Sequence, residues 1–158
     1  MSSKFSVCLS GGGARGIAHL GLLNALERKN VSIGRISGCS AGAIIGALYA
    51  NNLAPADLLE LFKQKFKHAF RSPSLRSGGL FSLDKLELEL KKVLGHNSFE
   101  KLQIPLFVST SSLITGCEVV FSQGELVKPL IASAAIPFVF KPVSFKGDVL
   151  VDGGLCNN

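Results

Sequence analysis

A serine that could act as a nucleophile lies at the centre of the five-residue pattern Gly38-Cys39-Ser40-Ala41-Gly42, which has the spacing G-x-S-x-G. In a strand-to-helix turn this pattern presents a serine hydroxyl above a sheet, and small neighbours are needed because the turn is sharp. We therefore expect Ser40 to stand exposed at the carboxyl edge of a sheet and to attack a carbonyl carbon. The alternative is that Ser40 is an ordinary N-cap of the following helix.

A second glycine-rich segment is Gly11-Gly12-Gly13-Ala14-Arg15-Gly16. Consecutive backbone N–H groups without side chains can face one point and bind negative charge. The segment also satisfies G-x-G-x-x-G, but a dinucleotide site needs an acidic residue about 20 positions later, and the region from Val31 to Gly38 contains no Asp or Glu. A glycine turn that permits close helix–strand packing is the other interpretation.

A serine hydroxyl needs a base to take its proton, and the histidines do not supply one in the expected order. The chain has His19, His68 and His96, and none of them follows Asp152, as the order serine, acid, histidine of α/β-hydrolases would require. We therefore expect each histidine to be structural or solvated, and the candidate base is an acid.

Asp152 is that candidate, because it ends the apolar run Val149-Leu150-Val151 and is followed by Gly153-Gly154. A carboxylate at the end of a strand is well placed for proton transfer at the edge of a sheet. The other three aspartates, which are predicted to lie at a helix start, a helix cap and a hairpin turn, are Asp57, Asp84 and Asp148. The alternative for Asp152 is an Asx turn before the glycines.

Strands and helices alternate along most of the chain, which predicts an α/β fold with antiparallel hairpins added at the sheet edge. Strands are predicted at Phe5–Leu9, Val31–Ile36, Pro105–Ser112, Cys117–Ser122 and in a final pair that flanks Lys146-Gly147 and ends at Asp152. Helices are predicted at Ala14–Lys29, Ala41–Asn51, Ala56–Phe70, Leu83–Leu94 and Leu126–Ala135. In the fourth, a leucine stripe (Leu83, Leu86, Leu90 and Leu94) marks an amphipathic helix, with Asp84 and Glu87 as a capping pair.

In this order, the three glycine segments resemble those of the patatin-like phospholipase family, which has G-G-G-x-R/K-G, then G-x-S-x-G, then D-G-A/G. The resemblance extends to LSGGGARGIAHLGLLNALE, SAGAIIGALYA and IASAAIPFVFKPV, and it covers roughly Phe5 to the end of the chain. Cys39 departs from the pattern, since the family more often has threonine there. We expect its S–H to face the core.

The resemblance implies a serine hydrolase that cleaves acyl esters of lipids, often phospholipids, with a Ser-Asp dyad and without a metal or cofactor. Ser40 would be the nucleophile, and Asp152 would accept its proton and then help water attack the acyl-enzyme. Backbone N–H groups of Gly11, Gly12 and Gly13 would form the oxyanion hole, with Arg15 holding the loop or adding positive potential. The remaining motif glycines are Gly16, Gly38, Gly42, Gly153 and Gly154.

The same resemblance implies a three-layer α/β domain with a mainly parallel central sheet, helices on both faces and antiparallel hairpin additions. We expect a single domain over residues 1–158, without the C-terminal extension that family members usually have. Two other functions stay open. One is a non-catalytic lipid-binding or regulatory module of the same fold, and the other is a nucleotide-binding Rossmann domain whose glycine loop holds phosphate.

The formal net charge of +6 predicts attraction to anionic partners. Phe62, Phe66 and Phe70 recur at every fourth position beside Lys63 and Lys67, a pattern typical of a helix that lies on an anionic membrane. The alternative is that the phenylalanines face the sheet and the lysines are solvated. No recognised nucleic-acid motif accompanies the charge, so we expect no nucleic acid among the partners.

Composition and the amino-terminal sequence predict the compartment. The first residues lack the apolar stretch of a signal peptide, and no window approaches the ~18 consecutive apolar residues of a spanning helix. The scattered cysteines, Cys8, Cys39, Cys117 and Cys156, indicate buried thiols rather than a disulfide framework. We therefore expect a cytoplasmic protein with at most peripheral contact with a membrane.

Overall fold

The computed structural model describes residues 4–66 and 82–158, and in them one mixed sheet is combined with helices. The strands are β1 (Phe5–Leu9), β2 (Ile33–Cys39), β3 (Leu106–Ser112), β4 (Glu118–Phe121), β5 (Val143–Phe145) and β6 (Asp148–Asp152). The α-helices are α1 (Ala18–Arg28), α2 (Ala41–Ala50), α3 (Pro55–Leu61), α4 (Asp84–Leu94) and α5 (Val127–Ser133).

The sheet has the order β1-β2-β3-β6-β5, and β4 pairs with β3 off this path. Strands β1, β2 and β3 are parallel, whereas β4 and β6 run antiparallel to β3 and β5 runs antiparallel to β6. Along β3 every residue except Phe107 is buried, so both faces of the sheet are covered there. The predicted α/β fold, with parallel strands extended by antiparallel hairpins, is confirmed.

Helix α2 lies in the core, and Ser40 immediately precedes it. Nine of its ten residues are buried, so the helix is apolar on all sides rather than amphipathic. Small side chains allow this burial, because alanine and glycine let the helix approach neighbouring strands closely. The amino end of α2, which follows Ser40, is therefore held in place by close packing.

Helix α4 is held against α5 by a shared carboxylate. The predicted leucine stripe of α4 is buried, but the capping prediction is wrong, because Leu83 occupies the N-cap position and Asp84 is the first helical residue. Glu87 instead accepts hydrogen bonds from Lys91 at 2.7 Å and Lys128 at 3.0 Å. Burial opposes the ionisation of Glu87, but these two lysines outweigh it and lower the pKa of the carboxyl.

Some element boundaries differ from the sequence prediction. The first helix begins as a 3₁₀ turn at Gly13–Ile17 and becomes α-helical at Ala18. Strand β2 continues past Ile36 to Cys39, because its pairing with β3 continues to the Cys39–Ser109 pair. The part of the chain that the structure describes contains no helix long and apolar enough to cross a membrane.

The predicted membrane-facing helix is only partly within the described residues. Helix α3 ends at Leu61, and a π-helical turn spans Phe62–Phe66. Phe62 is half-buried against the core, as the alternative interpretation expects, while Lys63 is exposed and pairs with Glu60 at 2.9 Å. Lys67, Phe70 and the side chain of Phe66 lie outside the described residues.

Candidate active site

The Ser40 turn, residues 38–42, joins β2 to α2 through a backbone conformation that favours glycine. Ser40 has φ 51° and ψ −121°, and its hydroxyl makes no capping hydrogen bond to α2, so it is not an ordinary N-cap. A Cβ added at Gly42 would lie 2.0 Å from the Leu9 carbonyl oxygen, which shows how closely the turn packs on β1. The chain therefore holds Ser40 in a strained and tightly packed position.

Ser40 is buried, contrary to the expectation that it would stand exposed. Its exposed fraction is 5%. The cause is the glycine loop, residues 11–16, which passes above it: a Cβ added at Gly11 would lie 3.3 Å from Ser40 Cβ. Although buried, Ser40 still lines a cavity.

The strand register explains how Asp152 comes close to the Ser40 turn. Ser109 of β3 pairs with Cys39 and also with Val120, and the next residue, Thr110, pairs with Asp152 and also with Val119. Val119 and Val120 are consecutive in β4, so Cys39 and Asp152 must both lie on the opposite edge of β3. Strands β2 and β6 therefore end beside each other on that edge.

Asp152 is bonded through one carboxylate oxygen and through its backbone. Its Oδ1 accepts the Gly154 N–H at 2.8 Å, which is the contact that the Asx-turn alternative expects, and Cys39 Sγ lies 3.6 Å from the same oxygen. The Asp152 N–H donates to the Ala135 carbonyl at 3.0 Å. Within residues 4–66 and 82–158, no hydrogen bond joins the Ser40 hydroxyl to the Asp152 carboxylate.

Cys39 is a protonated hydrogen-bond donor at this site. Burial raises the pKa of its thiol to about 12, and the charge of Asp152 and its hydrogen bond contribute in the same direction. The S–H therefore faces Asp152 rather than the apolar core. The expectation of four buried thiols is also wrong, because Cys8, Cys117 and Cys156 are exposed.

The glycine loop offers backbone donors at the same cavity. Gly13 has φ 54° and begins the 3₁₀ turn, in which Arg15 N–H donates to the Gly12 carbonyl at 3.0 Å. The Gly11 N–H already donates to Asn158 Oδ1 at 2.6 Å. Of the three predicted oxyanion donors, Gly11 thus has a protein acceptor in this structure.

The cavity has a volume of about 710 Å³ and brings most of the predicted site residues together. The predicted residues that line it are Gly11, Gly12, Gly13, Arg15, Ser40, Asp152 and Gly154. The other motif glycines, Gly16, Gly38, Gly42 and Gly153, do not line it. The sequence interpretation missed Ile136, Pro137, Leu155 and Asn158, although the stretch IASAAIPFVFKPV contains the first two.

Large apolar side chains are exposed at or next to this cavity. Ile136 and Leu155 line it and are 40% and 60% exposed, and Phe138, two residues after Ile136, is 94% exposed with φ 67°. We call Ile136, Phe138 and Leu155 the apolar rim. Exposed apolar groups beside a cavity are typical of sites that contact apolar ligands or surfaces.

The described histidines bond elsewhere. His19 Nε2 donates to the Ser10 carbonyl at 2.9 Å, and His96 Nε2 lies 2.8 Å from Asn51 Oδ1, while His68 is outside the described residues. Within residues 4–66 and 82–158, no group of three or more His, Cys, Asp or Glu side chains could hold a metal ion.

Comparison with known sequences gives one family and several relatives. The family model described as patatin-like phospholipase matches residues 7–158. An uncharacterized NTE family protein of Mycobacterium tuberculosis is 31% identical over 156 residues, which are 98% of this chain and 43% of the relative. The lysophospholipase nte1 of Aspergillus fumigatus is 30% identical over 162 residues, covering 95% of this chain and 10% of that protein.

Two solved structures have a similar fold. VipD from Legionella pneumophila matches 100% of this chain and 47% of its own with a TM-score of 0.67 at 18% identity. ExoU of Pseudomonas aeruginosa, in its complex with SpcU, matches 98% of this chain and 40% of its own with a TM-score of 0.57 at 24% identity. The chain thus spans less than half the length of each of these relatives.

Proposed function

The chain belongs to the patatin-like phospholipase family, and we propose that it hydrolyses ester bonds of lipids, phospholipids among them, at the cavity shared by Ser40 and Asp152. One observation carries the proposal. Ser40 is held at φ 51° in a packed strand-to-helix turn, beside the end of the strand that carries a buried carboxylate. Backbone strain of this kind costs about 1–3 kcal/mol and tends to occur at functional sites.

In the proposed reaction the Ser40 hydroxyl attacks the ester carbonyl and transfers its proton to Asp152. The alcohol leaves as the acyl-enzyme forms, taking that proton. Asp152 then accepts a proton from the attacking water and returns it to the Ser40 oxygen as the bond to the acyl group breaks and the fatty acid is released. The Ser40 hydroxyl and the Asp152 carboxylate line one cavity without a direct hydrogen bond. The mechanism therefore requires them to come into hydrogen-bond reach once substrate is bound, as is common for catalytic groups in free enzymes.

We propose that the oxyanion is stabilised mainly by the N–H groups of Gly12 and Gly13. The Gly11 N–H would join them only if Asn158 released it. Arg15 lines the same cavity and adds positive potential where negative charge develops. A preorganised donor at such a site typically contributes about 3–4 kcal/mol to transition-state stabilisation.

The cavity suits a substrate with an apolar chain and an anionic or polar head. The apolar rim provides contact area for acyl chains, and Arg15 lies on the same cavity wall for a negatively charged group. A volume of about 710 Å³ lies within the usual range of roughly 300–1,000 Å³ for small-molecule sites. Of these features, the apolar rim favours lipid esters over nucleotides as substrates.

Steady-state turnover tests the proposal. The wild type should hydrolyse p-nitrophenyl esters and phospholipid vesicles. We expect Ser40→Ala to abolish turnover, Asp152→Asn to reduce it strongly, and Ser144→Ala, which changes an exposed serine of β5, to leave it unchanged. Vesicle binding without turnover in the wild type would favour the non-catalytic lipid-binding module. Thermal stabilisation by NAD would favour a nucleotide site.

We also propose peripheral contact with anionic membranes through the segment that contains Lys63 and Lys67. Each basic residue near an anionic surface contributes about 1 kcal/mol. The double variant Lys63→Glu with Lys67→Glu should therefore weaken binding to anionic vesicles about 30-fold or more at low salt. The variant Lys4→Glu with Lys29→Glu has the same net charge and should bind like the wild type, since it changes exposed lysines elsewhere in the sequence. Unchanged binding in the first variant contradicts this contact.

A further inference from the structure

One buried hydroxyl bonds the backbone of the Ser40 turn. Ser133, the last residue of α5, accepts the Ser40 N–H at Oγ over 2.8 Å. The same hydroxyl donates to the Ser109 carbonyl of β3 over 2.7 Å, and Ser133 is fully buried. The Ser133 hydroxyl therefore links the Ser40 turn to the neighbouring strand β3.

The segment of residues 133–135, which begins with Ser133, also bonds the backbone of Asp152. Two residues after Ser133, the Ala135 carbonyl accepts the Asp152 N–H at 3.0 Å. The Ser109 carbonyl also lies against the turn of residues 152–154, because a Cβ added at Gly153 would lie 2.5 Å from the carbonyl oxygen. The turns that carry Ser40 and Asp152 are thus both bonded to residues 133–135. The Ser109 carbonyl accepts the Ser133 hydroxyl and also packs against Gly153.

A turn at positive φ persists only where its surroundings define it fully. The Ser40 N–H is buried, so the loss of its acceptor would leave an unsatisfied donor and favour a rearrangement of the turn. Resting on the proposed function, we propose that Ser133 is a positioning residue, whose hydroxyl fixes the Ser40 turn relative to Asp152. It touches neither reacting atom and acts through the Ser40 backbone.

Kinetics with a matched control test the proposal. Ser133→Ala should lower kcat for p-nitrophenyl ester hydrolysis about 10- to 100-fold and leave KM within about threefold, because the substrate-binding surface is intact. Ser112→Ala removes a hydroxyl that is also buried and bonded, to Asp148 Oδ1 at 2.7 Å, but lies away from the Ser40 turn. It should lower Tm while leaving kcat within about twofold. An equal loss of kcat in both variants would contradict the proposal.

Two further substitutions separate hydrogen bonding from space filling. Ser133→Thr retains the hydroxyl and should restore most of kcat, whereas Ser133→Cys fills the space with a weak acceptor and donor and should remain at least about tenfold slower than Ser133→Thr. If Ser133→Ala fails to fold, the comparison of kcat between the threonine and cysteine variants still tests whether the hydroxyl is required. Equal kcat values for the threonine and cysteine variants would overturn the proposal.

Hydrogen exchange of the Ser40 amide provides a readout that does not need activity. In Ser133→Ala, or in Ser133→Cys if the alanine variant does not fold, the Ser40 N–H should exchange at least about tenfold faster. In Ser112→Ala its rate should match the wild type. If the wild type hydrolyses no ester, the proposed function fails, but this result still supports the structural role of Ser133. An unchanged Ser40 exchange rate in the Ser133 variants overturns that role itself.

Discussion

The Ser40 turn and the glycine loop are both rich in glycine, but Gly42 of the turn and Gly13 of the loop are required for different reasons. In the Ser40 turn, a Cβ added at Gly42 would lie 2.0 Å from the Leu9 carbonyl oxygen, so close packing requires glycine there. At Gly13 of the glycine loop there is open space and φ is 54°, so backbone conformation requires glycine there, whereas Gly11 and Gly16 of the same loop are closely packed. A substitution at Gly42 should therefore damage folding, and a substitution at Gly13 should damage mainly the chemistry.

Gly42→Ala should have the largest effect. No side chain can move aside for its Cβ, because the neighbouring atom belongs to the β1 backbone, and we expect a loss of roughly 3–5 kcal/mol in the free energy of unfolding. Urea denaturation followed by circular dichroism measures it. Gly21→Ala is the control, since Gly21 lies exposed in α1 with nothing within 4 Å, and alanine there should stabilise the protein by about 1 kcal/mol. Equal stability of the two variants would show that the Ser40 turn is less tightly packed than described.

Cys39 tests the burial of the Ser40 turn through thiol reactivity. With a pKa of about 12, the Cys39 thiol is ionised only to about one part in 10⁴ at pH 8, and only the thiolate reacts with alkylating agents. Iodoacetamide should modify the exposed Cys8, Cys117 and Cys156 first, and Cys39 at least about 10³-fold more slowly until the protein unfolds. Peptide mass mapping over time measures these rates, and comparable rates for Cys39 and Cys156 would contradict a closed turn.

The same thiol predicts a change of stability with pH. The pKa of Cys39 is raised from 9.0 in a free thiol to about 12 in the folded protein, so its contribution to stability is fully present below pH 9 and is lost between about pH 9 and 12. Cys39→Ala should lack that part of the decline. Parallel declines of wild type and variant above pH 9 would count against the raised pKa.

Gly13→Ala should have a smaller effect on stability, and its main effect should be on the chemistry. The positive φ costs alanine about 1 kcal/mol, so the fold should persist, but a shift of the loop would move its N–H groups away from the oxyanion. We expect kcat to fall about 10- to 100-fold. Gly116→Ala carries the same conformational cost, with φ 70° and nothing within 4 Å, in the turn between β3 and β4. If both variants lower kcat equally, the glycine loop has no special part in the reaction.

The sequence predicts the features that depend on neighbouring residues. The G-x-S-x-G spacing predicts the strand-to-helix turn at Ser40, and the apolar run that ends at Asp152 predicts strand β6. The leucine stripe of α4 is buried as its period predicts. The boundaries that fail are those where glycine or tertiary pairing overrides local pattern, as in the 3₁₀ start of the first helix and the extension of β2 to Cys39.

Features that depend on topology could not be predicted. Ser133 reaches Ser40 across 93 residues of sequence, and the meeting of β2 and β6 on one edge of β3 follows from register alone. The burial of Ser40 depends on the path of the glycine loop above it. Each of these relations joins segments that no local pattern connects, although together they shape the site.

Covalent labelling with a fluorophosphonate probe tests the central claim, that Ser40 is an activated nucleophile in a site built from these two regions. Attack by the serine oxygen on phosphorus displaces fluoride and leaves a stable adduct, which peptide mass mapping can locate. We predict one adduct per chain, located on Ser40, absent in Ser40→Ala and formed much more slowly in Asp152→Asn. No adduct on Ser40 in the folded wild type, or unchanged labelling in Ser40→Ala, would contradict the account.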